Sequence, residues 1–284
     1  MRPYSALIGY PVDHSPSPLL YGSFAQSCNF RPYEHRRIPL KEGEGLRNLL
    51  TDLQQDGCVG VNVTLPHKMR ALRCVTRAHP TGATCGAVNT IRFEGEDSHG
   101  YNTDIAGVRG AIFDKVGATI GPRDRCVILG TGGAARAVLA CMRDIGCEVE
   151  VLFREPQSCR TTSLRSDFPD LVARPIGEFP RVLRRATLVV DATSACMEGD
   201  GSPVPPDHLW RDFEATAAHL RLVFCVAIRT DAMFLRCARR AGIAQVDGIS
   251  MMVHQAREAF RLWSGFEVSC QTARHAEQLI RNVL

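Results

Sequence analysis

The chain of 284 residues has no run of about 18 consecutive apolar residues, so no segment is long enough to cross a bilayer as a helix. Residues 1–9 hold an apolar stretch too short for the core of an export signal. There is no polybasic block and no basic–aromatic module. The 34 basic and 30 acidic residues are spread along the chain, and the net charge of +4 argues against nucleic acid as a partner while suiting small anions. There is also no C-x-x-C pair among the 12 cysteines. The closest two, Cys141 and Cys147, are six apart, and several sit in apolar runs, such as Cys126 before Val127 and Cys225 after Phe224. Such cysteines fit buried free thiols in a reducing compartment better than disulfides or zinc, so a cytoplasmic location is expected. The nine histidines show no H-E-x-x-H or similar spacing, and no metal is expected.

What is present is an ordinary globular composition, 45% hydrophobic and 23% charged, which is enough for a real core. At roughly 150 residues per domain the length implies two domains. Short apolar strand candidates alternate with amphipathic helix candidates, the pattern of an α/β protein with a largely parallel sheet. In the first half, strands are expected at 5–9, 33–38, 58–63 and 87–93, with helices near 18–27, 42–55 and 66–75 and a polar turn at 95–100. Ile105, Val108, Ile112 and Val116 recur at helical spacing, so Asp104 opens a helix leaving this half. The second half reads strand 126–129, helix 133–145 and strand 148–153. Four prolines limit helices over 155–185, and strands follow at 188–191 and 222–228. Two apolar stripes close the chain, one of Met252, Ala256, Ala259, Phe260 and Trp263, the other of Ala273, Ala276, Ile280 and Val283. The expected domains are 1–105 and 106–248, with residues 249–284 returning to the first.

Gly130-Thr131-Gly132-Gly133-Ala134-Ala135 follows an apolar strand and opens a helix, giving G-x-G-x-x-A in the context that pyrophosphate binding needs. The first glycine permits the tight turn, the second admits a phosphate to the backbone, and the small third residue lets helix pack on strand. Gly130, Gly132, Gly133 and Ala134 are therefore candidate cofactor contacts. At the end of the next strand, Arg154 suits the 2′-phosphate of NADP, whereas Glu155 beside it suits the ribose hydroxyls of NAD, and Arg160 is an alternative phosphate partner. The balance favours NADP, with NAD as the alternative.

Polar groups gather where the first-half strands end. His14-Ser15-Pro16-Ser17-Pro18 reads as a helix entry with Ser17 as N-cap and Pro18 at the first helical position, which leaves Ser15 without a role. Asn62, Thr64 and Lys68 lie past one strand, Asn89 lies in Gly86-Ala87-Val88-Asn89-Thr90, and Asn102-Thr103-Asp104 precedes the exit helix. Ligands of open parallel sheets bind at strand carboxyl ends, so hydroxyls, amides, one amine and one carboxylate could converge on a polyhydroxylated acid.

In this order the segments resemble the signatures of the shikimate dehydrogenase family: H-S-x-S-P, N-V-T-x-P-x-K, G-A-V-N-T, N-T-D and G-x-G-G-A. An N-A-T-S-x-G-M-like strand follows, here Asp191-Ala192-Thr193-Ser194-Ala195-Cys196-Met197. The last is D-G-x-x-M-x-x-x-Q-A, here from Asp247-Gly248 to Gln255-Ala256. The resemblance runs from about residue 5 to 265. It implies an N-terminal α/β substrate domain with a mixed sheet, a Rossmann-like domain, and C-terminal helices packing on the first. It implies that Ser15 and Ser17 hold a substrate carboxylate, that Thr64, Asn89 and Gln255 hold ring hydroxyls, and that Lys68 and Asp104 form the catalytic acid–base pair. Thr193, Ser194 and Gly248 join the cofactor residues. The implied reaction interconverts 3-dehydroshikimate and shikimate with NADP, in a monomer or homodimer.

The chain departs from the family at several places. The usual D-M-x-Y-x-P-x-x-T strand is replaced by residues 222–232, where the acid, the Tyr and the Pro are missing. Cys196 and Ser250 stand where glycines are usual, and Phe153 replaces an Asn. A quinate/shikimate dehydrogenase using NAD, or a catalytically weak ligand-binding homologue, are the alternatives these departures raise.

Overall fold

The computed structural model describes residues 3–30, 33–195, 202–204 and 209–284. The chain divides into two compact units, Met1–Gly107 with Val253–Leu284, and Val108–Met252.

The first unit contains strands β1 (Tyr4–Gly9), β2 (Glu34–Pro39), β3 (Cys58–Val63), β4 (Arg77–Ala78), β5 (Thr90–Glu94) and β6 (Asp97–Tyr101). Between them lie helices α1 (Ser17–Ser27), α2 (Leu46–Gln55), α3 (Lys68–Ala71) and α4 (Pro80–Cys85). The sheet order is β2-β1-β3-β5-β6-β4. β1 pairs in parallel with β2 and β3, whereas β5 runs antiparallel to β3 and β6, so the sheet is mixed. One face is apolar, with Tyr4, Ala6, Ile8, Val61 and Val63 packed on Leu46, Leu50 and Leu53. The last three recur at i, i+4 and i+7 along α2, which is one helical face.

Strand residues alternate between faces, so Ser5, His35 and Asn62 occupy the opposite side. That side is nonetheless buried. Tyr21 of α1 lies 4.3 Å from the His35 ring, and the Trp263 ring is 5.2 Å from Tyr21. His35 Nδ1 is 2.6 Å from Ser5 Oγ, which also meets the Tyr33 hydroxyl.

The second unit begins within α5 (Asp104–Val116). It contains β7 (Arg125–Leu129), α6 (Gly133–Ile145), β8 (Glu148–Phe153), α7 (Cys159–Asp167), β9 (Val172–Pro175), α8 (Phe179–Leu183) and β10 (Leu188–Asp191). There follow α9 (Leu209–Thr216), β11 (Leu222–Cys225), α10 (Met233–Arg240) and β12 (Ala244–Val246). All pairings are parallel, in the order β9-β8-β7-β10-β11-β12. This is the doubly wound arrangement, with its switch point between the first and fourth strands, β7 and β10. β7, β10 and β11 are near-continuous apolar runs because both faces are covered. α11 (Gly248–Ser264) and α12 (Cys270–Val283) end the chain, and from Val253 onward they belong to the first unit.

Several expectations are corrected. Residues 95–100 form a hairpin rather than a turn, with β5 and β6 paired from Thr90↔Tyr101 to Glu94↔Asp97. The buried positions of β6 are Ser98 and Gly100, so no hydrophobic alternation marks it as a strand. The strand expected from residue 87 begins at Thr90, the one expected to run to 228 stops at Cys225, and the helix near 66–75 is the single turn α3. Ser17 is the first helical residue and Pro16 is the N-cap; Ser15 Oγ accepts from the Ser17 N–H at 3.3 Å, which supplies its missing role. Val283 is exposed, unlike Ala273, Ala276 and Ile280.

Burial pushes the His35 imidazole down from 6.5 to about 3, with the nearby Arg37 charge adding to the effect. The folded protein keeps His35 neutral while the unfolded chain takes up a proton below about 6.5. Stability is therefore lost as pH falls from about 6.5 towards 3, at ~1.4 kcal/mol per pH unit for this group. Urea unfolding between pH 7 and 4 should show a shallower decline in His35→Gln than in the parent protein, and equal slopes would contradict the assignment.

Candidate active site

Lys68 opens α3 and Asp104 opens α5. Lys68 Nζ lies 2.5 Å from Asp104 Oδ2, with side-chain exposures of 15% and 5%. Asp104 does not act as a simple helix cap, because its other oxygen, Oδ1, accepts from Asn89 Nδ2 at 2.8 Å. The orientation of the Asn89 amide is set in turn by the Thr103 N–H, which donates to Asn89 Oδ1 at 2.7 Å. Backbone bonds hold this segment between strands: Val63 N to Asn89 O, Asn89 N to Tyr101 O, and Val88 N to Lys68 O.

The network continues away from the pair. Thr90 Oγ1 contacts Thr103 Oγ1 at 2.9 Å and receives Asn62 Nδ2 at 3.1 Å, and Tyr21 donates to Asn62 Oδ1 at 2.6 Å. Thr103 Oγ1 donates to Gln255 Oε1 at 3.3 Å, and the Tyr21 hydroxyl also hydrogen-bonds Gln255. Burial is the main reason the Tyr21 phenol is held well above its ordinary pKa, so it stays a neutral donor. The structure thus brings Lys68, Asp104, Asn89 and Gln255 into one buried network.

Ser15 and Ser17 sit apart from that network, at the start of α1, with their hydroxyls 3.1 Å apart. Arg37 Nε donates to Ser15 O at 2.9 Å and tethers this loop. Ser17 and Tyr21 are four residues apart on α1 and so share a face. Thr64 is half-buried just past β3, where its N–H donates to Ile8 O. Sequence reasoning missed Tyr21, Thr90, Thr103 and Arg37 as working parts. Thr90 and Thr103 lay inside the motifs, whereas Tyr21 and Arg37 carried no signal beyond their spacing from Ser17 and His35.

In the second unit, Gly130 adopts φ +110°, and a Cβ there would lie 3.0 Å from Ala192 O, so the turn requires glycine. Gly132 is the N-cap of α6 with open space above its Cα. No side-chain oxygen caps α6, which leaves its first N–H groups available to a phosphate. Gly133 is buried and Ala134 half-buried. Past β10, Asp191 Oδ1 accepts from both the N–H and the hydroxyl of Thr193, fixing that loop, and Ser194 is exposed. Arg154 and Glu155, both exposed, line an open depression of about 490 Å³ with Pro156, Gln157 and Ser158. Arg154 has no ionic partner among the described residues. These features fit a dinucleotide: a glycine turn at the switch point, an uncapped helix start and an unpaired guanidinium beyond β8.

Gly248 has a packing reason, since a Cβ there would collide with Val226 O and Ala227 O. Ser250 is half-buried at the start of α11, near the Asp247 cap. Where the family strand is altered, Ile228 is exposed and Arg229 pairs with Asp231 at 2.9 Å. Cys196 and Met197 lie outside the described residues. Among the described residues no cluster of His, Cys, Asp and Glu could hold a metal, and no helix is long and apolar enough to cross a membrane.

A doubly wound parallel sheet with a Gly-rich turn, in one chain with a mixed-sheet unit carrying a buried lysine–carboxylate pair, defines a two-domain α/β protein of the dinucleotide-binding class. Two family profiles match: the shikimate dehydrogenase substrate binding domain over residues 7–91, and the shikimate 5′-dehydrogenase C-terminal domain over residues 248–276. The NADP(+) shikimate dehydrogenase of Natronomonas pharaonis is 35% identical over 260 residues, covering 91% of this chain and 92% of that protein. The one from Gluconobacter oxydans is 34% identical, covering 93% and 90%. The crystal structure of the Thermus thermophilus shikimate 5-dehydrogenase in complex with NADP(H) and shikimate superposes with a TM-score of 0.81 at 29% identity, covering 99% of both chains. The chain belongs to the shikimate dehydrogenase family.

Asn89→Ala removes partners from Asp104 Oδ1 and the Thr103 N–H in a buried setting. At about 1–3 kcal/mol for each unpaired group, the unfolding free energy should fall by about 2–6 kcal/mol in urea titrations. A change below about 0.5 kcal/mol would show that water readily replaces the amide.

Proposed function

We propose that this protein catalyses the reversible, NADP-dependent reduction of 3-dehydroshikimate to shikimate. The observation that carries the reading is the Lys68–Asp104 pair, closed at 2.5 Å and held by Asn89 within a buried network that also includes Gln255. The relatives support it, since they are named as NADP(+) shikimate dehydrogenases and one solved neighbour holds both NADP(H) and shikimate.

The nicotinamide cofactor, when bound, supplies the hydride in reduction and takes it in oxidation. The chain's own residues manage the proton. In reduction, a proton at Lys68 Nζ passes to the carbonyl oxygen as hydride reaches the carbon, giving the secondary alcohol. In oxidation, Nζ takes the hydroxyl proton. Asp104 Oδ2 holds Nζ in place, and because Oδ1 is engaged by Asn89 the carboxylate cannot swing away. Ser15 and Ser17 present paired hydroxyls to the substrate carboxylate on a loop tethered by Arg37, while Thr64, Asn89 and Gln255 meet the ring hydroxyls. Gly130, Gly132, Gly133 and Ala134 would hold the cofactor pyrophosphate and Arg154 its 2′-phosphate, with Thr193, Ser194 and Gly248 as further cofactor residues.

One observation favours a second reading, a quinate/shikimate dehydrogenase using NAD. Glu155 is exposed beside Arg154 in the same depression, which suits the ribose hydroxyls of NAD. In either reading the protein works in the cytoplasm as a monomer or homodimer, with small molecules as its ligands.

Nicotinamide absorbance during oxidation of shikimate and of quinate, with NADP and with NAD, tests the reading. Shikimate with NADP should be the fastest pair. Lys68→Ala should lower kcat by about 10²–10⁴-fold, the usual range for a positioned acid–base group, while calorimetric binding of shikimate persists. Near-normal turnover in that variant would remove Lys68 from the mechanism.

A further inference from the structure

Arg136 lies in the first turn of α6, opposite the apolar face of Ala134, Ala137, Val138, Cys141, Met142 and Ile145, where a charged side chain is expected to face solvent. Its exposure is instead 0%, and it is the largest fully buried side chain of the described residues. Its guanidinium reaches α7: Nη1 lies 2.7 Å from Asp167 Oδ2 and Nη2 donates to Ser163 Oγ at 3.0 Å. Ser163 Oγ in turn donates to Asp167 Oδ2 at 3.2 Å, and the Phe168 ring centroid is 5.8 Å from the guanidinium carbon.

Stability alone is a weak reason for such a residue. Desolvating a guanidinium is expensive, and well-packed apolar replacements of buried ion pairs are often neutral or stabilising. What the bridge does provide is register. Arg136 stands three residues into α6, directly behind the Gly-rich turn, and grips the C-terminal half of α7. The N-terminal end of α7 carries the Ser158 cap and Arg160, and the 154–158 segment spans from β8 to that end. A second link joins the same two elements, since Thr131 Oγ1 of the Gly-rich turn is 3.5 Å from Thr161 Oγ1, which also receives Ser158 Oγ at 2.9 Å.

We infer that Arg136 is a positioning residue for the dinucleotide, setting α7 and the 154–158 segment against the Gly-rich turn so that Arg154 and Arg160 are placed for a ribose 2′-phosphate. This rests on the NADP reading above and adds to it a residue that does not touch the cofactor. A 2′-phosphate is the feature that depends on this segment; a pyrophosphate on the Gly-rich turn depends on it far less.

The test is steady-state kinetics of shikimate oxidation by the parent protein, Arg136→Met and Arg136→Lys, with NADP and with NAD. Arg136→Met should raise the KM for NADP about tenfold or more, in line with the sensitivity of bound geometry to small displacements. The KM for NAD should rise much less, and kcat at saturating NADP and the KM for shikimate should stay within about twofold. Arg136→Lys, which keeps the charge but not the two-pronged grip, should recover part of the loss. Equal losses with both nucleotides, a fall in kcat without a change in KM, or parent-like behaviour would each overturn the inference. If Arg136→Met does not fold, Asp167→Asn loosens the same bridge from its exposed side and must give the same NADP-selective effect. If the parent turns over shikimate with neither nucleotide, the proposed function fails. In that case calorimetric titration of NADP and NAD into the same proteins still decides the role of Arg136.

Discussion

The carboxylate of Asp104 is the point on which the rest of the first unit turns. It opens α5, receives Lys68 on one oxygen and Asn89 on the other, and is nearly buried. A buried carboxylate is tolerable only when charge and hydrogen bonds compensate its lost hydration. Each compensating group is itself fixed by something else. Lys68 is placed by α3, whose carbonyl at residue 68 accepts from Val88, and Asn89 is placed by backbone bonds to β3 and β6. Partly satisfied networks of this kind are costly, so the whole chain of groups from Tyr21 to Lys68 holds as one.

That demand shapes the mixed sheet. One face is built like any core, from Tyr4, Ala6, Ile8, Val61 and Val63. The other carries Ser5, His35 and Asn62, yet is covered just as completely by α1 and α11. Aromatic rings supply the apolar area there, with Tyr21 and Trp263 packed over His35 and Phe260 against Tyr33, while Ser5 meets His35 Nδ1 and Asn62 bonds Thr90 and Tyr21. The site's polar side chains stand where helices and loops meet the strand ends, with Lys68 at the start of α3, Asp104 at the start of α5 and Asn89 just before β5. Burial holds the Cys126 thiol well above its ordinary pKa and pushes Cys141 up to about 12, which makes them inert fillers of the second unit.

The second unit reaches rigidity by a different route. Its central strands β10 and β11 are buried along their whole length, and its specific features lie at the switch point between β7 and β10, where a Cβ at Gly130 would press on Ala192 O. α6 is buried almost throughout, and the single charge in its first turn ties the Gly-rich turn to α7.

Much of this was legible in the sequence. In β3, β8, β10 and α6 pattern and element coincide residue for residue, because an apolar run or an apolar stripe bounded by turn residues writes itself into composition. The Gly-rich turn and the polar motifs were legible for the same reason, since phosphate approach and acid–base chemistry restrict which residues serve. The hairpin β5–β6 was not, because its buried positions are Ser98 and Gly100, and neither was α3, a single turn held by tertiary bonds. Tyr21, Thr103 and Arg136 find hydrogen-bond partners 41, 152 and 27 residues away, which no local pattern announces. The sequence by itself determined the two-unit α/β organisation and the residue types of the site, since both follow from local periodicity and chemical necessity. Only the tertiary structure decided which groups meet and which charge is buried, because hydrogen-bond partnership and desolvation are properties of positions in space that no local pattern encodes.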